Sequence, residues 1–157
     1  MIRSATPADV PAILALIREL AEYEHLSHAC VATVELLTRH LFGADRAAEA
    51  LVAEEAGQVV GYALHFQTFS TFLGRPGIYL EDLYVQPAHR GRGIGKAMLR
   101  HLAQLAVERG YGRVEWSVLD WNAPSIAFYK SLGAVPLDEW TMYRLTGDAL
   151  QAFAASR

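Results

Sequence analysis

Apolar positions recur along this chain at two periods, and the order in which the periods alternate predicts the architecture. Val10, Ile13, Leu14, Ile17, Leu20 and Ala21 fall at helical spacing. Just before them, Thr6-Pro7-Ala8-Asp9 supplies a hydroxyl cap, a proline at the first helical position and an acid near the positive dipole end, so a helix is predicted to about residue 22. Met1 to Ala5 is long enough for a short strand ahead of it. A polar stretch over 24–32 follows, and Thr33 with Leu36, Leu37 and Leu41, stopping at Gly43, predicts a second helix.

The period then shortens. Leu51 to Glu54 and Val59 to Leu64 flank Glu55-Ala56-Gly57-Gln58, the form of a β-hairpin with glycine near its tip. Ser70 to Gly77, with two glycines and a proline, predicts a loop, and Ile78 to Val85 a strand closed by Pro87. Met98, Leu99, Leu102, Leu105, Ala106 and Val107 return to helical spacing and end at Gly110. Val114 to Leu119 predicts a strand. Asn122 caps a helix containing Pro124, Ile126, Phe128 and Tyr129 that ends at Gly133, and Trp140 to Leu145 resembles a last strand. The sum is an α/β fold: one mixed central β-sheet with helices on both faces, antiparallel hairpins early and helical crossovers late.

Composition narrows the picture. The 157 residues fit one domain, 1–157, with no internal repeat or low-complexity linker. Hydrophobic residues make up 52% and charged residues 20%, and a net charge of -3 argues against nucleic acid as the main partner. No apolar run approaches the ~18 residues that span a bilayer, so a soluble chain is expected. The single cysteine, Cys30, cannot form an internal disulfide, and the first residues lack the charged, apolar and small-residue sequence of a secretion signal, so a cytoplasmic protein is expected. The six histidines show no metal-site spacing, and no metal is expected.

The strongest chemical signal is HRGRGIGKAM over 89–98, where a strand ends and a helix begins. A dinucleotide fingerprint fails, because counting from Gly91 or Gly93 puts Lys96 or Met98 where the last glycine belongs. A nucleoside-triphosphate loop fails as well: Arg90 stands at its first glycine and Ala97 where a metal-binding hydroxyl is required. What remains is a set of unobstructed backbone amides at a helix N-terminus, with Arg90, Arg92 and Lys96 adding charge, which suits a pyrophosphate. A tight turn with solvated cations is the alternative use of the same residues.

Arg90-x-x-Gly93-x-Gly95 after a strand and before a long helix resembles the acetyl-CoA pyrophosphate motif of the GNAT superfamily of N-acetyltransferases. YEH at 23–25, YLEDLYV at 79–85, RGRGIG at 90–95 and WNAPSIAFYKSLGA at 121–134 are similar to its diamine acetyltransferase branch, which includes spermidine/spermine and thialysine acetyltransferases. The resemblance implies an acetyl-CoA-dependent acyltransferase that acetylates a primary amine of a small cationic substrate by direct attack. It implies that Leu83, Tyr84 and Val85 pair with the pantetheine arm, that Arg90, Gly91, Arg92, Gly93, Ile94, Gly95 and Lys96 hold the pyrophosphate, and that Asn122, Pro124 and Ser125 also contact the cofactor. Tyr129 matches the family's general acid, also close to the cofactor. Glu81 matches the acid that meets the amine, directly or through water, and Tyr23 and Glu24 match substrate-contact positions. A homodimer is implied too, with substrate residues shared across subunits.

Other readings remain open at this stage: acetylation of a protein lysine or N-terminus, or a catalytically silent acyl-CoA-binding module. Strand alternation puts Glu81 with Leu83 and Val85, and Asp82 with Leu80 and Tyr84, without choosing the face. Residues 135–141 are shorter than the acid-rich stretch of the polyamine enzymes, which favours a shorter diamine or a thialysine-like amino acid. Cys30 reads as an ordinary thiol, since acyl transfer to an amine needs no acyl-enzyme.

Overall fold

The computed structural model describes all 157 residues. The chain divides into two compact units, residues 1–119 and 120–157. The first unit is built on a five-stranded mixed sheet in the order β1-β2-β3-β4-β5: β1 (Ile2–Ser4), β2 (Glu49–Glu55), β3 (Gln58–Ser70), β4 (Arg75–Val85) and β5 (Val114–Trp116). Neighbours are antiparallel except β4 and β5, which run parallel.

The helix expected from Pro7 opens as a 3-10 turn over Pro7–Asp9 and continues as helix α1 (Val10–Tyr23). The Asp9 carboxylate accepts from the Thr6 backbone N–H at 2.7 Å and from the Arg3 guanidinium at 2.8 and 2.9 Å, tying the helix start to β1. Helix α2 (Val34–Phe42) is capped by Thr33, whose hydroxyl accepts from Leu36 N–H at 3.2 Å. Ile13 and Leu16 of α1 and Leu41 of α2 pack with Ala50, Val52, Tyr62 and Tyr84 on one face of the sheet. The alternate sheet residues Leu51 and Ala63 are also buried, and α3 (Ile94–Glu108) packs against β2, β4 and β5 through a stripe of Met98, Leu99, Leu102 and Ala106. Helices therefore cover both faces, as the sequence predicts.

Three differences from the sequence reading fall in the first unit. The hairpin at 55–58 closes on two residues, Ala56 and Gly57, both at positive φ, so its strands run longer than their apolar cores. The stretch over 70–77 shrinks to a turn because β3 and β4 pair out to Ser70 and Arg75. The strand expected over 114–119 stops at Trp116.

In the second unit, α4 (Ala123–Ser131) begins at Asn122, whose side chain accepts from Ser125 N–H at 3.3 Å. The chain leaves α4 through Gly133 at φ 86°, a left-handed stop. The last strand expected over 140–145 does not form. Trp140 to Leu145 lies outside regular structure and is exposed, and α5 (Gly147–Ala155), which the apolar pattern did not announce, closes the chain.

Candidate active site

The site grows out of the way β4 leaves its neighbours. On one edge β4 pairs with β3 along its length; on the other, β5 reaches only Ile78, Tyr79 and Leu80. From Asp82 to Val85, then, β4 is paired on a single edge. This half of the strand, with Leu83, Tyr84 and Val85, presents backbone groups that an extended ligand can pair with, as an added strand would.

The parting coincides with a β-bulge. Leu64 lies opposite Asp82 while the next residue, His65, lies opposite Leu80, so Glu81 has no partner on β3. Bulges re-aim side chains, and this one overturns the strict alternation expected from the sequence. Asp82 and Leu80 are opposite adjacent residues of β3 and so lie on opposite faces; Asp82 stays with Tyr84 on the α1 face. Glu81 is exposed.

Asp82 is the residue that sequence reasoning passed over. It is mostly buried, and it accepts a hydrogen bond from the Tyr62 hydroxyl at Oδ2, 2.9 Å away. Burial first, and then the neighbouring Glu81 charge, raise its carboxyl above the ordinary range, against which the Tyr62 bond acts. Glu24, just past the end of α1, is likewise raised by burial and then by the Asp82 charge. Glu24, Glu81 and Asp82 thus form a carboxylate cluster where α1 ends over β4. Such a cluster without its own cation suits a cationic amine. Cys30 is near enough to influence Tyr62.

Tyr23 enters differently from its expected role alone. The Arg90 guanidinium lies 5.4 Å from the Tyr23 ring centroid and 5.3 Å from that of Tyr84, while its Nε donates to Val85 O at 2.7 Å. Glu19 of α1 accepts from the Tyr84 hydroxyl at 3.1 Å and from Gln86 Nε2 at 3.0 Å. Arg90 and Glu19 therefore fasten the end of α1 to the end of β4, joining the carboxylate cluster to the glycine loop.

In that loop a short 3-10 turn over 87–89 leads to Gly91 and Gly93 at φ 78° and 82°, and α3 begins at Ile94. Both glycines occupy the left-handed region that other residues enter at a cost. Gly95 is different. It has no such φ, and a Cβ placed on it would meet nothing within 4 Å, so the chain's own packing does not demand a glycine there. An open space at a helix N-terminus is what an approaching phosphate requires. Arg92 donates to Glu55 at 3.1 Å, whose other contact is His89 Nδ1 at 2.7 Å, whereas Lys96 is exposed with no acidic partner. Among the three cations of the loop, Lys96 is the one left for a ligand.

Asn122, Pro124, Ser125 and Tyr129 all lie at or on α4 in the second unit; the Tyr129 ring is 5.6 Å from that of Phe128, centroid to centroid. No group of three or more histidine, cysteine, aspartate or glutamate side chains is arranged to hold a metal ion, and no helix is long and apolar enough to cross a membrane.

With a parted parallel strand pair, a glycine loop opening α3 and an acidic cluster beside them, this is the architecture of an acyltransferase. Residues 14–134 match the model of the acetyltransferase (GNAT) family, and the chain belongs to that family. It is 41% identical to the thialysine N-epsilon-acetyltransferase of Bos taurus over 98% of this chain and 96% of that one. It is 35% identical to the L-ornithine N5-acetyltransferase of Arabidopsis thaliana, covering 96% of this chain and 86% of the relative. Among solved structures, an integron cassette protein from the mobile metagenome of V. cholerae superposes with a TM-score of 0.83 at 27% identity, covering 99% of this chain and 98% of the other. The chain is an N-acyltransferase of the diamine acetyltransferase-like branch.

Proposed function

We propose that this enzyme transfers the acetyl group of acetyl-CoA to a primary amine of a small cationic acceptor, a short diamine or a thialysine-like amino acid. The carrying observation is the adjacency, at one end of β4, of an open glycine loop and a cluster of carboxylates of which Glu24 and Asp82 are partly buried. The relatives' acceptors, thialysine and ornithine, are amino acids that carry a side-chain amine, which supports the choice. The match of the family model to 14–134 runs across the division at residue 119, which supports reading both units as one acetyltransferase domain.

In this reading the backbone amides of Gly91 to Lys96, with the Lys96 ammonium, hold the pyrophosphate, and the free edge of Leu83 to Val85 pairs with the pantetheine arm. Asn122, Pro124 and Ser125 contact the cofactor at the start of α4. An alkylamine with pKa near ~10.4 arrives protonated at neutral pH. Glu24 and Asp82 attract that cation, and Glu81 takes its proton, directly or through water. The neutral nitrogen then attacks the thioester carbonyl, polarised by a backbone N–H near Leu83; the C–N bond forms, the C–S bond breaks, Tyr129 donates its proton to the departing thiolate, and the second amine proton leaves through water and restores the Tyr129 hydroxyl. Cys30 takes no part.

Tyr129→Phe is expected to lower kcat about 10²-fold or more, the usual size of a lost general acid, with the Kd for acetyl-CoA little changed. Thiol release and calorimetry on the same variant separate the two. We also read the enzyme as cytoplasmic, in keeping with its free, half-buried Cys30, and as a homodimer. For the dimer the support is the likeness to the diamine acetyltransferase branch. Sedimentation is expected to give a dimer at micromolar concentration, and a monomer there would remove that reading.

A further inference from the structure

The chemistry above makes no use of Tyr62, yet Tyr62 is the largest fully buried side chain of the protein, at 0% exposure. Its ring sits in an apolar cluster with Ile13, Leu16 and Val52, where phenylalanine would serve equally well. The hydroxyl has one partner, Asp82 Oδ2 at 2.9 Å. A buried phenol needs such a partner, and here the partner belongs to the acceptor cluster.

The groups facing Asp82 explain what the bond does. Glu81 adjoins it on β4, and Glu24 comes down from the end of α1. Tyr84, on the same face, is engaged with Glu19 and lies beneath the Arg90 guanidinium, and Cys30 adds its influence at Tyr62. Asp82 forms no ion pair with any lysine or arginine of the chain. The Tyr62 hydroxyl is thus the one donor that opposes burial and like charge at this carboxylate.

We propose that Tyr62 is a positioning residue for the acceptor: it fixes Asp82 through Oδ2, so that this carboxylate stays ionised and offers Oδ1 to an ammonium group of the diamine or amino acid. The inference rests on the amine-acetylation reading above. Burial and the Asp82 charge push the Tyr62 hydroxyl far above its ordinary range, so it remains a donor at every pH the enzyme meets. Removing that donor leaves Asp82 easier to protonate, and a protonated Asp82 no longer holds a cation.

The test compares wild type, Tyr62→Phe, Asp82→Asn and the double variant, with 1,3-diaminopropane and propylamine as acceptors. Two readouts are followed: kcat/KM against pH, and the Asp82 carboxyl titration by carbon-13 NMR in the free protein. Tyr62→Phe is expected to move the acid limb for the diamine upward by about one pH unit, so that its KM rises up to about tenfold on the acid side of that limb and converges on the wild-type value above it, with propylamine much less affected. In the Asp82→Asn background the same change is expected to alter kcat/KM less than about twofold, since coupled residues are not additive. An unshifted acid limb and an unchanged Asp82 titration in a folded Tyr62→Phe protein would overturn the proposal and leave Tyr62 a packing residue. Wild type that turns over neither amine, while Asp82 still titrates higher in Tyr62→Phe, would instead defeat the amine-acetylation reading and with it the acceptor role, leaving only the coupling between the two side chains.

Discussion

Asp9 and Asp82 are two carboxylates whose environments push them in opposite directions, and each makes a separate prediction. Asp9 is held well below the usual carboxylate range, first by its hydrogen bonds to Arg3. A depressed folded pKa gives stability that is present above the unfolded value of ~3.9 and is lost as pH falls below it. Asp9→Asn is expected to cost about 2 kcal/mol at neutral pH and to flatten the acid limb of the stability profile, as denaturant titrations would show. Asp82 is raised by burial, so the folded protein binds the proton more readily, and stability declines as pH rises from about 4 through the folded value. Asp82→Asn is therefore expected to raise Tm at neutral pH by a few degrees while weakening acceptor binding. Glu24 and Glu81 were marked as candidates in the sequence through their motifs. Asp82 was not, because alternation is a rule for regular strands and nothing in YLEDLYV announces the bulge. Tyr62 reads in sequence as one more aromatic of a buried strand.

At the scale of elements, the glycine loop was read correctly as a strand-to-helix turn, because glycine spacing and helical periodicity are local signals. The parting of β4 from β5 was not legible, since it depends on where a strand distant in sequence stops pairing. The loop separates two uses of glycine. Gly91 and Gly93 answer to their own backbone, whereas Gly95 borders open space. Gly95→Leu is expected to leave Tm unchanged or slightly higher, because a Cβ there meets nothing and replacing a glycine at a compatible φ stabilises by ~0.4 to 1 kcal/mol. The same variant is expected to raise the KM for acetyl-CoA at least tenfold. Thermal denaturation and initial-rate kinetics on one preparation check both halves. Arg90, expected at the pyrophosphate, is engaged with Tyr23, Tyr84 and Val85, an arrangement that only the fold brings together.

For the whole molecule, the apolar periods gave the α/β order and the two covered faces but mistook the end of the chain. Trp140 to Leu145 has the composition of a strand, and composition cannot say whether a partner strand exists within the same chain. Arg90 and Glu19 join the glycine loop to the carboxylate cluster in the first unit, so the proposed donor and acceptor regions can be tested together. The most direct measurement is release of free CoA thiol from acetyl-CoA across a panel of short diamines, thialysine, ornithine, lysine and a monoamine. Amine-dependent thiol release, fastest with acceptors that carry a second charged group and lost in Tyr129→Phe, is the expected result. Tight binding of acetyl-CoA with no thiol release for any amine in the panel would contradict the account.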